Sequence, residues 1–312
     1  MKRGFANVRA VPHRMQIETF KIFCDLAETG SFSKAASTSG ITQSAVSQQI
    51  RGLELRFKVT LVDRGRRHFS LTPEGQAFLA ASKEIMGVYS HLGDRLQELQ
   101  NVFAGDIRIA VIYSVGLHEL PPYLKEFRLR YPQVEVHVDY RRSSQVYAEV
   151  LSGEVDFGMV SYPSTRRGLI IEPFLKDRLV LICHPEHRFA KRKTIGIAEI
   201  EGEKFISFEP DAPTRKVIDR HFREQGVTVN QAMEFDNIET VKRAVEIEHG
   251  ISIVPVKTVL QEVENGSLAA LKIEKPELWR PLGIVLKRNR ARSPAQKELI
   301  AMLQKNSTHN EP

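Results

Sequence analysis

Ile85, Tyr89, Leu92, Leu96, Leu99 and Phe103 stand four, three, four, three and four residues apart. Spacing that alternates in this way is a heptad seam, one apolar stripe along a single helix. Thr72 can cap that helix, and Pro73 suits its first position, where a missing N–H costs nothing. The pattern predicts one helix from 73 to about 102 or 103, with Phe78 in phase upstream. A helix this long, with nothing yet to pack on, calls for a second chain along Ile85, Tyr89, Leu92, Leu96 and Leu99. The alternative is packing against its own body.

The seam divides the 312 residues into parts of different charge. Residues 1–72 hold twelve Lys and Arg against five acids, a surplus of seven that equals the whole-chain value of +7. The rest is balanced. A polyanion would therefore be held by the N-terminal part, and neutralising phosphates releases counterions. Charge alone does not separate DNA from RNA or an anionic membrane. No apolar run approaches the roughly 18–20 residues of a membrane span. The basic N-terminus lacks the apolar core of a signal peptide. Two cysteines, Cys24 and Cys183, make no disulfide framework. A cytoplasmic address is expected. Residues 1–14 have no period and read as a disordered basic tail or a start codon placed too early, with a DNA-tracking arm as the alternative. Residues 306–312 read as a disordered tail.

Residues 15–72 carry three helical patterns. Ile17, Phe20, Phe23, Cys24 and Ala27 form one stripe, stopped by Gly30. Ser31 or Ser33 can cap a second helix through Ala35 and Ala36 to about Ser39. Gly40 allows a tight turn, and Thr42 caps a third helix. Its apolar face is Val46, Ile50, Leu53 and Phe57; Gln43, Ser44, Ser47, Gln48 and Arg51 occupy the other. Two helices around a glycine turn make a helix-turn-helix. Amides and hydroxyls at the start of its second helix can meet base edges in a major groove. Taken alone, such a face is more often merely solvated; the local charge and the turn favour DNA. Arg64, Arg66 and Arg67, in a tight turn before a short strand, read as a wing whose arginines lie on phosphate or in a minor groove. A solvated loop is the alternative.

These residues resemble the LysR-type transcriptional regulators. The match runs through Phe20, Gly30-Ser31-Phe32-Ser33, Ala35-Ala36, Gln43-Ser44-Ala45-Val46-Ser47, Ile50, Leu53-Glu54, Leu61, Arg64 and Leu71-Thr72-Pro73-Glu74-Gly75. Ser39, Lys58 and Val62 depart from it, standing where Leu, Gly and Phe are usual. Ser39 and Val62 are expected to loosen the small core. The DNA contacts expected are Ser33, Thr42, Gln43, Ser44, Ser47, Gln48, Arg51, Arg64, Arg66 and Arg67, and the departures remove none of them. The resemblance implies helix pairing into a homodimer, often a homotetramer, on a two-fold operator of double-stranded DNA, with RNA polymerase as a partner if the protein activates.

From Gly105 strands and helices alternate. Strands are read at 106–113, 134–140, 155–160, 179–183, 205–208, 232–235, 251–254 and 282–287. Helices are read at 117–131, 144–152, about 214–225, 238–248, from 257 and at 294–304. This order means a parallel α/β sheet. Lobe I is expected at about 105–176 and 280–305, and lobe II at about 177–279. Two such lobes resemble the periplasmic-binding-protein fold of the LysR effector domain, and Gly250-Ile251-Ser252-Ile253-Val254-Pro255 fits that family. Glu248 stands where a glycine is usual, so the loop there is expected to differ. The expected fold class is thus α/β: an N-terminal winged helix-turn-helix (15–72), a long linker helix (73–104) and a two-lobed effector domain (105–305).

Open α/β sheets bind ligands beyond the carboxyl ends of their strands, where helix N-termini offer free N–H groups. Ser114, Ser144, Ser161, Phe208 and Thr214 meet that geometry, and a small anion is the preferred effector, with plain capping the alternative for each hydroxyl. Arg141 and Arg142 read as a solvated run that could lie near the cleft. Cys183, His184 and His187 in the run CHPEH read as a turn rather than a metal site. No cofactor motif or catalytic cluster is found. The function read is a ligand-switched DNA-binding regulator, not an enzyme. A small-molecule transport protein with an accessory domain and an enzyme on the same scaffold are the competing classes.

Overall fold

The computed structural model describes residues 15–63, 69–100, 103–274 and 277–305. They form two compact units that meet within one helix, at Ser90 and His91.

In the first unit, α1 (Ile17–Thr29) stops at Gly30, whose φ of +60° turns its N–H back to the Leu26 carbonyl. The Ser31 hydroxyl caps α2 (Phe32–Thr38) by accepting the Lys34 N–H. The Thr42 hydroxyl caps α3 (Gln43–Phe57) by accepting the Ala45 N–H at 3.2 Å. Both capping expectations hold, with Ser31 rather than Ser33 as the cap. Lys58 closes α3 in the left-handed region at φ +55°, where glycine would be at ease. β1 (Val62–Asp63) pairs antiparallel with β2 (Ser70–Leu71). Glu54 fixes β1 to α3 by accepting the Leu61 and Val62 N–H groups at 3.0 and 3.3 Å. Phe23, Leu26, Ala35, Val46, Ile50 and Leu61 fill the core.

Val62 is buried within this core, and the Ser39 hydroxyl donates to Asp25 at 2.8 Å. Two expectations need correction. Phe57, expected inside, is 45% exposed and meets the core through Phe78. Phe78 itself, in α4 (Pro73–Gln100), leaves the seam to lie against Phe20 and Phe23 at 5.8 and 5.0 Å. The Thr72 hydroxyl accepts the Gly75 N–H at 2.9 Å and starts α4 as expected. Gly75 is required there, because a Cβ would lie 2.0 Å from the Leu61 carbonyl oxygen.

The second unit runs β3 (Gly105–Val111), α5 (Tyr113–His118), α6 (Pro121–Arg130), β4 (Val134–Tyr140), α7 (Ser143–Ser152), β5 (Phe157–Ser161), β6 (Leu169–Cys183), β7 (Thr194–Ile195), β8 (Lys204–Phe208), α8 (Pro213–Glu224), β9 (Asn230–Phe235), α9 (Ile238–Glu246), β10 (Ser252–Pro255), α10 (Leu260–Glu264), β11 (Ala269–Ile273), β12 (Trp279–Lys287) and α11 (Pro294–Lys305). The expected helix over 117–131 is therefore two, α5 and α6, because Pro121 cannot continue a helix from behind.

The sheet is mixed, not parallel. Its order is β4-β3-β5-β12-β6-β11-β7, with β10 also on β6. β3 is parallel to β4 and β5, whereas β12 is antiparallel to β5 and β6. The 15-residue β6 joins the lobes: residues 169–178 pair with β12 in lobe I, and 179–183 pair with β10 and β11 in lobe II. Only its last five residues, 179–183, were expected from sequence. Pro173 and Pro281, which break a strand pattern, are absorbed where the β6–β12 register shifts. β7 and β11 were not anticipated. Glu248 takes φ +61°, as the glycine it replaces would.

Candidate DNA-reading helix and effector cleft

Val46, Ile50 and Leu53 anchor one face of α3 and leave Thr42, Gln43, Ser44, Gln48 and Arg51 exposed, with Ser47 half-buried. Ser33 joins them from α2, its exposed hydroxyl donating to Gln43 Oε1 at 3.2 Å. The Thr42 and Ser44 hydroxyls are 3.0 Å apart. The fold thus places six of the expected DNA contacts along α3 and its cap, with Ser33 of α2 bonded to the first of its residues. Arg64, Arg66 and Arg67 lie outside the described residues, between the two wing strands. Along α4, Ile85, Tyr89, Leu92, Leu96 and Leu99 are between 36% and 77% exposed among the described residues, an apolar row. Phe103 stacks on Tyr131 at 4.9 Å, within the second unit.

Between the lobes lies a cleft of about 470 Å³ lined by all five expected residues, Ser114, Ser144, Ser161, Phe208 and Thr214. Two positions shift slightly. β3 stops at Val111, so Ser114 sits in the first turn of α5 rather than at a strand end. Ser161 is the last residue of β5 instead of following it. Helix α7 of lobe I and α8 of lobe II begin at the cleft; neither cap residue's side chain accepts a first-turn N–H, while Gln145 Oε1 accepts the Arg142 N–H just ahead of α7 at 3.0 Å. Free N–H groups there favour an anion. Another helix at the cleft, α9, is closed by Asn237 accepting the Thr240 N–H.

The floor holds a charge that sequence reading missed. Arg280 is buried at the start of β12 and donates to Asp177 Oδ2 at 2.9 Å and to Ser114 Oγ at 2.8 Å. Its Nε has no partner among the described residues. Burial pushes the Asp177 carboxyl above the usual range, and Arg280 pulls it back. Nearby, burial also raises Glu119, against the pull of Lys257 at 3.0 Å. Tyr162 stands at φ +47° with its phenol pushed up to about 12 by burial. No motif announces Arg280; only the return of the chain through β12 brings it to Ser114. Arg141 and Arg142 do line the cleft, with Arg166 and Lys216. Arg141 is held by Glu149, and the Arg166 guanidinium lies 3.7 Å above the Tyr147 ring.

CHPEH forms a turn, with the His187 N–H donating to the His184 carbonyl. Cys183 is fully buried, and His184 and His187 face different acids, Glu248 and Glu203. No helix among the described residues is long and apolar enough to cross a membrane.

Residues 100–308 match the model of the LysR substrate binding domain, and 17–76 match that of the bacterial regulatory helix-turn-helix protein, lysR family. The chain belongs to the LysR-type transcriptional regulators. This LysR-type chain is 32% identical over 258 residues to the HTH-type transcriptional activator CmpR of Synechocystis sp., covering 83% of this chain and 84% of CmpR. A full-length OxyR variant from Pseudomonas aeruginosa shares the fold, with a TM-score of 0.73 at 17% identity over 95% of both chains. The Synechocystis PCC6803 CcmR regulatory domain in complex with 2-PG aligns at a TM-score of 0.61 and 27% identity, covering 67% of this chain and 99% of that one. A family of transcriptional regulators also removes the enzyme and transport readings.

Proposed function

We propose that this LysR-type regulator works in the cytoplasm as a homodimer, assembling further to a homotetramer, on a two-fold DNA operator. A small anionic effector bound between the lobes switches it, and it needs no resident cofactor. The observation carrying this reading is the cleft, where α7 and α8 begin from opposite lobes, with no cap side chain taking a first-turn N–H, beside Ser114, Ser161 and Thr214. Such a ligand shifts the protein only by binding one lobe arrangement better than another. The 2-PG in the CcmR complex supports an anion. The bare row along α4 supports pairing, which sets two α3 helices on two half-sites. RNA polymerase is a further partner if the protein activates.

Selection of random duplex DNA at two salt concentrations, followed by footprinting with and without 2-PG, tests this. Two spaced half-sites and an altered footprint are expected. Salt-sensitive binding without a motif refutes sequence reading, and footprints unchanged by every anion tried refute the switch. Gln43→Ala should lose specificity more than nonspecific affinity, whereas Arg66→Ala should weaken all sequences alike and flatten the salt slope.

A further inference from the structure

Arg142, at the start of α7 in lobe I, lines the cleft, yet its ion pairs reach the other lobe: 3.1 Å to Glu209 and 3.5 Å to Asp236. Glu209 follows β8, and Asp236 directly precedes the Asn237 cap of α9. The other cleft arginines are held differently. Arg141 pairs with Glu149 in its own lobe, Arg280 is sealed beneath with Asp177, and Arg166 lies on Tyr147. Among the described cleft residues, Arg142 is thus the cation whose ion pairs span the gap. It is half exposed, as are its partners in part, so all three are open to an entering ligand. Among the described residues two more contacts join the lobes, the His118–Glu239 hydrogen bond at 2.8 Å and the Lys257–Glu119 ion pair at 3.0 Å. None of those four residues lines the cleft.

We propose that Arg142 reads the effector's charge by exchange: the ligand's anionic oxygens take its guanidinium from Glu209 and Asp236, unfastening this one connection while the other two stay. This rests on reading the cleft as an anion site. The exchange makes Arg142 a specificity residue. A planar guanidinium held by two carboxylates is released best to a group that itself offers two anionic oxygens, a phosphate or carboxylate, and a neutral ligand has nothing to exchange. Glu209 and Asp236, once released, free the segments leading into α8 and α9, so occupancy is converted into a change in lobe II. In the empty protein the same acids compete with the effector and set its affinity.

Hydrogen exchange on the full-length protein without ligand reads the strap directly. Arg142→Gln and the double variant Glu209→Gln/Asp236→Asn should each speed exchange of the Ala212 and Thr240 amides by roughly two- to fivefold, the scale of exposed ion pairs. No change in either variant overturns the proposal. Calorimetric titration with 2-PG and with inorganic phosphate reads the exchange. The acid-neutralised double variant should bind the better anion roughly three- to tenfold more tightly than wild type, and Arg142→Gln should lose about tenfold or more. If wild type binds an anion and Arg142→Gln binds it equally, the exchange is refuted while the cleft reading stands. If neither anion binds wild type, the cleft reading falls and the exchange with it.

Discussion

Replacing Asp177 by Ala should unfold the effector domain far more easily than a single polar substitution normally does. The Asp177 and Arg280 side chains are 1% and 3% exposed, so the loss strands a guanidinium in the interior. Breaking a buried pair from one side costs about 3–5 kcal/mol. At about 2–4 °C per kcal/mol for a domain of this size, the melting temperature should drop by about 6–20 °C. The assay is built in. Trp279 is the only tryptophan, it adjoins Arg280, and the Arg178 guanidinium lies 4.7 Å from its ring, so its fluorescence follows this region. A fall of less than about 3 °C would refute the argument that the pair is held by burial rather than by solvent. Arg280→Met/Asp177→Leu, which removes both charges, should recover most of the loss. The partner substitution adds a pH test. A carboxyl whose pKa is raised on folding binds more protons when folded. It therefore weakens the fold as pH climbs above its unfolded value of 3.8, and acid relieves it. Arg280 lowers the Asp177 pKa, so Arg280→Met extends that window upward. The gap between Arg280→Met and wild type should narrow as pH falls toward the unfolded value, and the gap for Asp177→Ala should not.

Gly75→Ala forces a Cβ to 2.0 Å from the Leu61 carbonyl, so denaturant unfolding of the first unit should show a loss of about 1–3 kcal/mol. Gly52→Ala, with nothing within 4 Å, should instead gain up to about 1 kcal/mol; equal effects would mean that crowding is not the cause. Leu92→Asp, in the middle of the exposed α4 row, should halve the mass seen in sedimentation, and an unchanged mass would remove the seam as the dimer contact. Burial pushes the Cys183 thiol up to about 11, so peroxide should leave it unmodified in the native protein by mass spectrometry; oxidation as fast as in denaturant would show that the site opens.

Local information was enough for the first unit. Gly30, Ser31, Gly40 and Thr42 fix helix ends through bonds to residues three or four away, and Val46, Ile50 and Leu53 fix which face of α3 is buried. The seam on α4 is likewise a periodicity, visible without any fold. The cleft hydroxyls were legible because strand ends and helix starts are local events, and the sheet class places ligands there. Strand direction was not legible. A run of β-rich residues pairs equally well either way, and the return of the chain through β12 beside β6 decided it. Nor did sequence show that β6 passes Pro173 unbroken, since the irregular register opposite it is a property of two strands together. The charges at the cleft lay furthest from reach. Arg280 meets Ser114 across 166 residues and Asp177 across 103, and Arg142 meets Asp236 across 94. The sequence by itself determined a basic helix-turn-helix, a helix that needs company, and an α/β body with hydroxyls at its ligand-binding edge. Only the tertiary structure decided which arginines are buried, which are spoken for and by what, because a charge takes its partner from whatever distant strand the fold brings within a few ångströms.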